Sequence, residues 1–464
     1  MSVQAPERPP EELFPTDDQY QDLLNRRTRR ARLFQFACLT ALTIAVMALA
    51  TLVYTIVNDS FGLVAIVNQN EPEDVVADLG YDPEAVTLAE VPYDDLVELL
   101  ASTVSGGAGR RLEREQRFYE DRLVFEPQES WDELCSSAQP PPGCSAAPRD
   151  KASVVALVQE RVVVPDVIAS HDLVPSLLDP QGFTRQVEEG FAAGRFPDYT
   201  VDQVDIEWRA WFNPTFVTTP SSATPEVAGI RTAILGSAWL VLITVGFAVP
   251  VGVGAAIYLV EYARPSRLND FIQTNIYNLA GVPSIIYGML GLAILVRALE
   301  PLTSGSLFGV GDGNGRTVLS AGLTLGLLTL PVVIISAQEA LKAVPNSLRQ
   351  AALGLGATRW QMVRSQVLPV ALPGILTGAI LAVARAIGET APLILVGAAS
   401  FITVDPSGPF SKFTALPIQI FQWTSFPQEE FRNIAAAASL ALLILLLLLN
   451  AFAVILRNRY ARKA

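Results

Sequence analysis

The stretches LFQFACLTALTIAVMALATLVYTIV (residues 33–57) and IAAAASLALLILLLLLNAFAVIL (residues 434–456) contain no Asp, Glu, Lys or Arg. A bilayer core of about 30 Å takes roughly 20 predominantly apolar residues as helix, so each stretch is long enough to cross one. Four further apolar runs, Ala233–Tyr258, Ile272–Leu295, Leu319–Ser336 and Ile375–Val396, hold more Gly and Pro. Membrane helices tolerate both, because neighbouring groups re-satisfy the freed backbone. Six runs point to an all-α membrane bundle of six transmembrane helices. The composition agrees, with 50% hydrophobic and 17% charged residues in 464, where soluble domains carry about 25% charged. The first run is longer than the roughly 7 to 15 apolar residues of a signal peptide and begins only at Leu33, so it reads as a retained anchor.

Charge is distributed unevenly. The formal net charge is −13, yet residues 58–229 alone hold 11 Lys and Arg against 31 Asp and Glu. Basic residues cluster at Arg26, Arg27, Arg29, Arg30 and Arg32, at Arg264 and Arg267, at Lys342, Arg349, Arg359 and Arg364, and at Arg457, Arg459, Arg462 and Lys463. In a six-span topology these clusters fall on one side, and Lys/Arg-rich loops face the cytoplasm. The expected order is a cytoplasmic tail (1–32), a first span (33–57), an acidic extracytoplasmic domain (58–229), a core of five spans (230–456) and a basic cytoplasmic tail (457–464). So acidic an outer segment excludes nucleic acid as its partner, because phosphate backbones are held by clustered Lys and Arg.

About 170 residues between two spans exceed any linker and predict a folded insertion. DRLVFEP (121–127) and VVALVQERVVVPDVI (154–168) read as strands or short helices, and DDLVELLAS (94–102) and FTRQVEEGFAAG (183–194) as amphipathic helices. The expectation is a small α+β domain resting on the membrane bundle. Its excess of acid would repel small anions at low ionic strength. Cys135 and Cys144 flank the turn AQPPPG, and an oxidising compartment favours their pairing over two free thiols. Cys38 sits in the first span, where a thiol behaves as a small apolar residue.

Enzyme motifs are missing. The chain has no GxxxxGK[ST] phosphate cradle, no GxSxG elbow and a single histidine, His171, without a Cys or His partner nearby. No metal site and no bound cofactor are expected. The glycines of GVGDGNG (309–315) suit a turn, those of GVGAA (252–256) a packing surface, and the pairs Gly322/Gly326 and Gly374/Gly378 close helix contacts.

Residues 338–373, QEALKAVPNSLRQAALGLGATRWQMVRSQVLPVALP, form the most informative loop. Pro345-Asn346-Ser347 starts a helix, Gly354 or Gly356 ends it, and Thr358 caps a second helix carrying Trp360, Met362 and Val363. Small residues at Ala351, Ala352, Gly354, Gly356 and Ala357 would let another protein approach the backbone closely.

The run QAALGLG, nine residues, then QVLP, resembles the EAA coupling loop of ABC-importer permeases. By position Gln350 takes the Glu place, Ala351 and Ala352 the Ala places, Gly356 the Gly place, and Leu368 and Pro369 the final pair. Gln350 and Gln366 depart from the pattern, which has an acid and an apolar residue there. The runs at 229–263, AGVPSIIYGMLGL (280–292) and ARAIGETAPLILVGA (384–398) resemble, more narrowly, the PstA-type permeases of phosphate importers, over about residues 225–460. The resemblance implies a type I ABC importer permease fold, carrying the α+β domain as an insertion between helices 1 and 2 that shorter members lack. It further implies a PstC-like second permease subunit, a PstB-like ATPase dimer that binds the ATP, and a PstS-like extracytoplasmic binding protein.

Two charges interrupt the fifth span. Arg385 and Glu389 each cost about 2.5–3.5 kcal/mol at a helix centre on insertion scales, and at i, i+4 they share a face with Gly388 and Pro392. Arg385 is either an oxyanion contact that Glu389 holds between transport events, or half of a structural ion pair. Thr390, Ser284 and Tyr287 complete the candidate pathway, and a kink at Pro283 would aim Ser284 into it. Irregular helix packing would account for Ser284 and Tyr287 equally well. The residues leave the anion open among phosphate, sulfate, molybdate and phosphonate, and leave a membrane-tethered sensor as the rival reading.

Overall fold

The computed structural model describes residues 17–83, 85–103, 151–197, 199–222, 224–309, 314–398, 402 and 405–461. DRLVFEP, Cys135 and Cys144 lie outside the described residues. The chain divides into two units, residues 1–57 and 58–464. In the first, helix α1 (Asp17–Asp59) runs unbroken through the 33–57 stretch. Thr40, Thr43, Thr51 and Thr55 each donate to the carbonyl four residues earlier at 2.7–2.9 Å. Hydroxyls satisfied within their own helix suit a span with no water alongside it.

The second unit begins with strand β1 (Phe61–Asn68), followed by helices α2 (Pro72–Asp78), α3 (Tyr93–Thr103) and α4 (Lys151–Val158). Strand β2 (Pro165–Asp172), helices α5 (Leu173–Leu178) and α6 (Pro180–Ala192) and strand β3 (Asp205–Ala210) follow. The sheet is antiparallel in the order β2-β1-β3, with a register shift between Ala65 and Ile66. Alternation along β1 gives its two faces different neighbours. Ala65 packs under α6 with Phe183 and Val187, and fully burying Phe183 contributes roughly 2–3 kcal/mol of transfer free energy. Val64 and Ile66, with Val167 of β2, instead join Trp211, Phe216, Ile230, Leu416, Trp423, Phe431 and Ile434. The sheet is thereby seated on the ends of the apolar helices. Helices α2, α3 and α4 form a separate cluster around Val76, Leu96, Leu100 and Val158.

A five-residue helix (Pro214–Thr218) leads into α7 (Arg231–Ile257, extended by a π turn to Tyr262), α8 (Arg267–Ala280), α9 (Ser284–Gly291) and α10 (Val318–Lys342), with a short helix (Glu300–Thr303) before α10. They are followed by α11 (Asn346–Gly354), α12 (Arg359–Met362), α13 (Leu368–Ile387), α14 (Ala391–Val396), α15 (Leu416–Trp423) and α16 (Glu429–Ala461). Among the described residues, five helices are long and apolar enough to cross a membrane, and one bent pair makes a sixth if it counts as one span.

Two expected spans are not straight. The run Ile272–Leu295 is broken between α8 and α9, whose axes differ by 103°. Pro283 has no N–H to give and restricts the residue before it, so the last donor is the Val282 N–H, which reaches the Leu279 carbonyl at 3.1 Å. The run Ile375–Val396 is interrupted at Gly388-Glu389-Thr390, after which α14 starts afresh with Pro392 in its first turn.

Small residues set the contacts between the long helices. A Cβ on Gly326 would stand 2.6 Å from the Phe247 ring, and one on Gly252 2.7 Å from Val333, so α7 and α10 touch through glycine. Along α13, Gly374 and Gly378 would meet Ala340 and Ser336 of α10 at 2.8 and 2.2 Å. Both GxxxG pairs and Gly252 of GVGAA are therefore packing surfaces, where van der Waals contact replaces the hydrophobic drive that lipid does not supply, whereas Gly254 of the same run has nothing within 4 Å.

Candidate functional site

The two motif-bearing breaks meet. A Cβ on Gly288 of α9 would lie 2.6 Å from the Pro392 Cα of α14, so the GVPSIIYG and ARAIGETAP segments pack backbone to backbone. Ser284 and Thr390 are half-buried at the first turns of these two short helices. Tyr287 is buried, and its hydroxyl donates to the Leu279 carbonyl of α8 at 2.9 Å across the bend. In this conformation its polar atom closes the kink.

Arg385 lies in the last turn of α13, where a cation complements the negative end of the helix dipole. Its Nε reaches Glu389 Oε1 at 3.4 Å, with the Arg385 side chain 54% exposed and that of Glu389 18%. A single contact of that length leaves most of the guanidinium open. Neighbouring α7, α10, α13 and α14 enclose an apolar cleft lined by Leu240, Thr244, Leu325, Val383, Ile387 and Leu393 among others, and neither Arg385 nor Glu389 lines it.

The second site is the hairpin between α10 and α13. Helix α11 ends where Gly356 adopts φ +81°, with Gly356 N–H donating to Leu353 O and Ala357 N–H to Ala352 O. A Cβ is disfavoured in that left-handed conformation, which is why glycine terminates the helix there. Thr358 and Gln361 then form a capping box for α12. Gln350, Ala351, Gly354, Gly356, Thr358 and Trp360 are exposed, and Ala352 and Ala357 half-buried. Leu355 is 90% and Trp360 57% exposed, whereas Met362 and Val363 turn inward and are buried, so the apolar contacts expected of the second helix divide between its surface and the bundle.

The residue that holds the hairpin was not evident from its pattern. Arg349 pairs with Glu261 of the π turn after α7 at 2.9 Å, with side chains only 15% and 5% exposed. It also donates to the Leu341 and Val344 carbonyls at the end of α10 at 2.7 and 2.6 Å. Buried charges persist only when paired and hydrogen-bonded, and this one is both. Two other polar links went unread: Gln273 and Gln338 exchange amide hydrogen bonds at 2.9 and 2.8 Å, and Arg231 meets Asp405 at 2.9 Å. A charge or amide at the end of an apolar run was the available signal in each case.

At the seam between sheet and helices lies a cavity of about 200 Å³, lined among others by Gln159, Arg209, Asn213, Thr215 and Glu226. Arg209 stacks on Trp211 at 4.7 Å and donates to the Glu226 carbonyl. Burial raises the Glu226 carboxyl to about 7, opposed by a backbone hydrogen bond and by Arg209, and reinforced by Glu430 and Asp166. Among the described residues no group of His, Cys, Asp and Glu has a metal-binding arrangement.

Residues 248–464 match the family model described as the binding-protein-dependent transport system inner membrane component. The probable ABC transporter permease protein YqgI of Bacillus subtilis is 35% identical over 209 residues, covering 45% of this chain and 66% of that protein. The phosphate transport system permease protein PstA of Yersinia pestis is 35% identical over 236 residues, covering 51% of this chain and 73% of that protein. An inward-facing structure of the MetNI methionine ABC transporter aligns over 50% of this chain and 94% of its own, at 21% identity and a TM-score of 0.36.

Proposed function

Since the chain belongs to the family of binding-protein-dependent transport system inner membrane components, we propose that it is the permease subunit of an ATP-driven phosphate importer. A relative at 35% identity that is named a phosphate permease carries the substrate reading. In this reading the bundle has six spans, the α8–α9 pair counting as one, with the sheet-bearing segment inserted after the first. Both termini are cytoplasmic and residues 58–229 lie outside.

The chain lines half of a pathway with a second permease subunit and accepts phosphate from an extracytoplasmic binding protein. Arg385, freed from its long contact to Glu389, presents its planar donors to the passing anion. Thr390 and Ser284 stand at the two breaks, where unwound backbone can face a cavity at membrane depth, and Tyr287 holds the bend that positions them. The exposed surface of Gln350, Ala351, Ala352, Gly354, Gly356, Ala357, Thr358 and Trp360 docks on the partner ATPase, with Leu355 beside them. Arg349 and Glu261 carry the ATPase's movement into α7 and α10. Residues 230–456 act as the permease core, and Cys135 pairs with Cys144 in the outer segment.

The test is ATP-dependent uptake of labelled phosphate by vesicles holding the chain with its ATPase, second permease and binding protein. Uptake should resist excess sulfate and molybdate, and Arg385→Ala should abolish most of it. Full uptake by that variant would make Arg385 structural. Competition by sulfate or molybdate would reassign the anion.

A further inference from the structure

Helix α5 carries two adjacent exposed leucines that the bundle does not use. Leu177 is 64% and Leu178 80% exposed, while Ser176 between β2 and these residues is buried. The Ser176 hydroxyl donates to the His171 carbonyl at 3.1 Å and accepts from the Leu63 N–H at 2.9 Å. That pair of bonds fixes the short helix with its serine toward the sheet and its leucines away from it. Single exposed leucines are ordinary on a protein surface. Two in succession, held outward by a buried polar anchor, need a partner.

Their height relative to the bilayer follows from two contacts. Asn58, the residue after the 33–57 apolar run, donates to Asp172 at 3.0 Å and accepts from the Val174 N–H at 3.0 Å. The first turn of α5 is therefore tied to the point where an apolar run ends. From the other side, Arg432 acts electrostatically on Asp172, and Arg432 stands two residues before the uncharged run that begins at Ile434. The same sheet buries Val64, Ile66 and Val167 against Phe431 and Ile434. Both markers put α5 at the level where apolar spans meet the headgroups.

We propose that Leu177 and Leu178 dip into the adjacent lipid leaflet, so that the sheet-bearing segment is seated on the bilayer as well as on the helix ends. Apolar side chains on a short surface element lodge in this way at the headgroup boundary. The contact is independent of which anion the chain transports.

The full-length chain in phosphatidylcholine nanodiscs provides the test. With Cys38, Cys135 and Cys144 replaced by alanine, a polarity-sensitive fluorophore is attached through Leu178→Cys, or in parallel through Leu177→Cys. Glu98→Cys, on the exposed side of α3 in the separate α2–α3–α4 cluster, is the control. The leucine-site labels should emit to the blue of the control, resist iodide, and lose most of their fluorescence when the lipid carries a doxyl group near the headgroup. Iodide quenching without doxyl quenching would place these residues in water and overturn the proposal. Resistance to both quenchers would also overturn it, because protein rather than lipid would then cover the helix.

Discussion

Replacing Arg349 by methionine keeps an unbranched stem that reaches about as far as the arginine's Nε and removes every donor that its guanidinium gives to the bundle. The Glu261 carboxylate, 5% exposed, loses its partner, the Val344 carbonyl loses its guanidinium donor, and the Leu341 carbonyl is left with the Val344 N–H alone. Removing one member of a buried pair costs about 3–5 kcal/mol, because an uncompensated charge stays behind. At about 1.4 kcal/mol per tenfold change, that is a shift of roughly two to three and a half decades toward a detached hairpin. The effect should stay local. The α7–α10 interface is held by glycine contacts at Gly252, Gly322 and Gly326 that do not involve Arg349. Amide hydrogen exchange of the full-length chain would report it, with exchange accelerated in residues 346–358 and unchanged in residues 320–334. Adding Glu261→Gln should restore part of the protection, since a buried neutral amide is less costly than a buried charge. Unchanged hairpin protection in Arg349→Met would refute the anchoring role. Equal acceleration in both segments would show that the pair supports the whole bundle.

The Glu226 carboxyl, raised from 4.5 to about 7 in the folded chain, favours folding while protonated. Its contribution is complete below 4.5 and is lost as pH rises through about 7, which at about 1.4 kcal/mol per unit amounts to roughly 3 kcal/mol. Glu226→Gln should therefore gain thermal stability relative to the wild type as pH rises across that window; a pH-independent difference in melting temperature would contradict the assignment. Gly378→Leu should lower stability by about 1–3 kcal/mol or more through overpacking, because its Cβ would fall 2.2 Å from that of Ser336. Gly254→Ala, with nothing within 4 Å, should be neutral or gain up to about 1 kcal/mol from helix propensity. Similar melting temperatures for these two variants would remove the packing argument.

Apolar length and glycine spacing were legible because both act locally along one helix. A run of twenty uncharged residues can be counted, and Gly322/Gly326 declares a close approach without naming its partner. The breaks at Pro283 and Gly388 were harder to read. Each lies within an apolar run that composition alone treats as continuous, and only the 103° bend separates a bent pair from a kinked span. Proline in a membrane helix permits either outcome, and packing decides between them. Here Gly288 lets α9 close on Pro392, and the Tyr287 hydroxyl adds a second hydrogen bond to the Leu279 carbonyl, which already accepts from the Val282 N–H.

The hairpin shows the same division between local and distant information. Gly356 and the Thr358–Gln361 box are short-range signals, and the turn follows from them directly. Arg349 and Glu261 are 88 residues apart, so no window along the chain contains both. Arg349 counted as one more basic residue at a helix end, and Glu261 as an acid closing an apolar run. What distinguishes them is burial: a charge 5% exposed must have a partner, and the guanidinium supplies it while also donating to the carbonyls of Leu341, in the last turn of α10, and of Val344 just beyond it. Arg385 presents the opposite case. It was conspicuous in sequence as a charge among apolar residues, yet it is 54% exposed and holds Glu389 by one contact of 3.4 Å. A deeply buried, multiply bonded arginine is suited to transmitting force between elements. A weakly held one is suited to exchanging its partner for a ligand, and that physical difference is why the coupling role is proposed for Arg349 and the anion contact for Arg385.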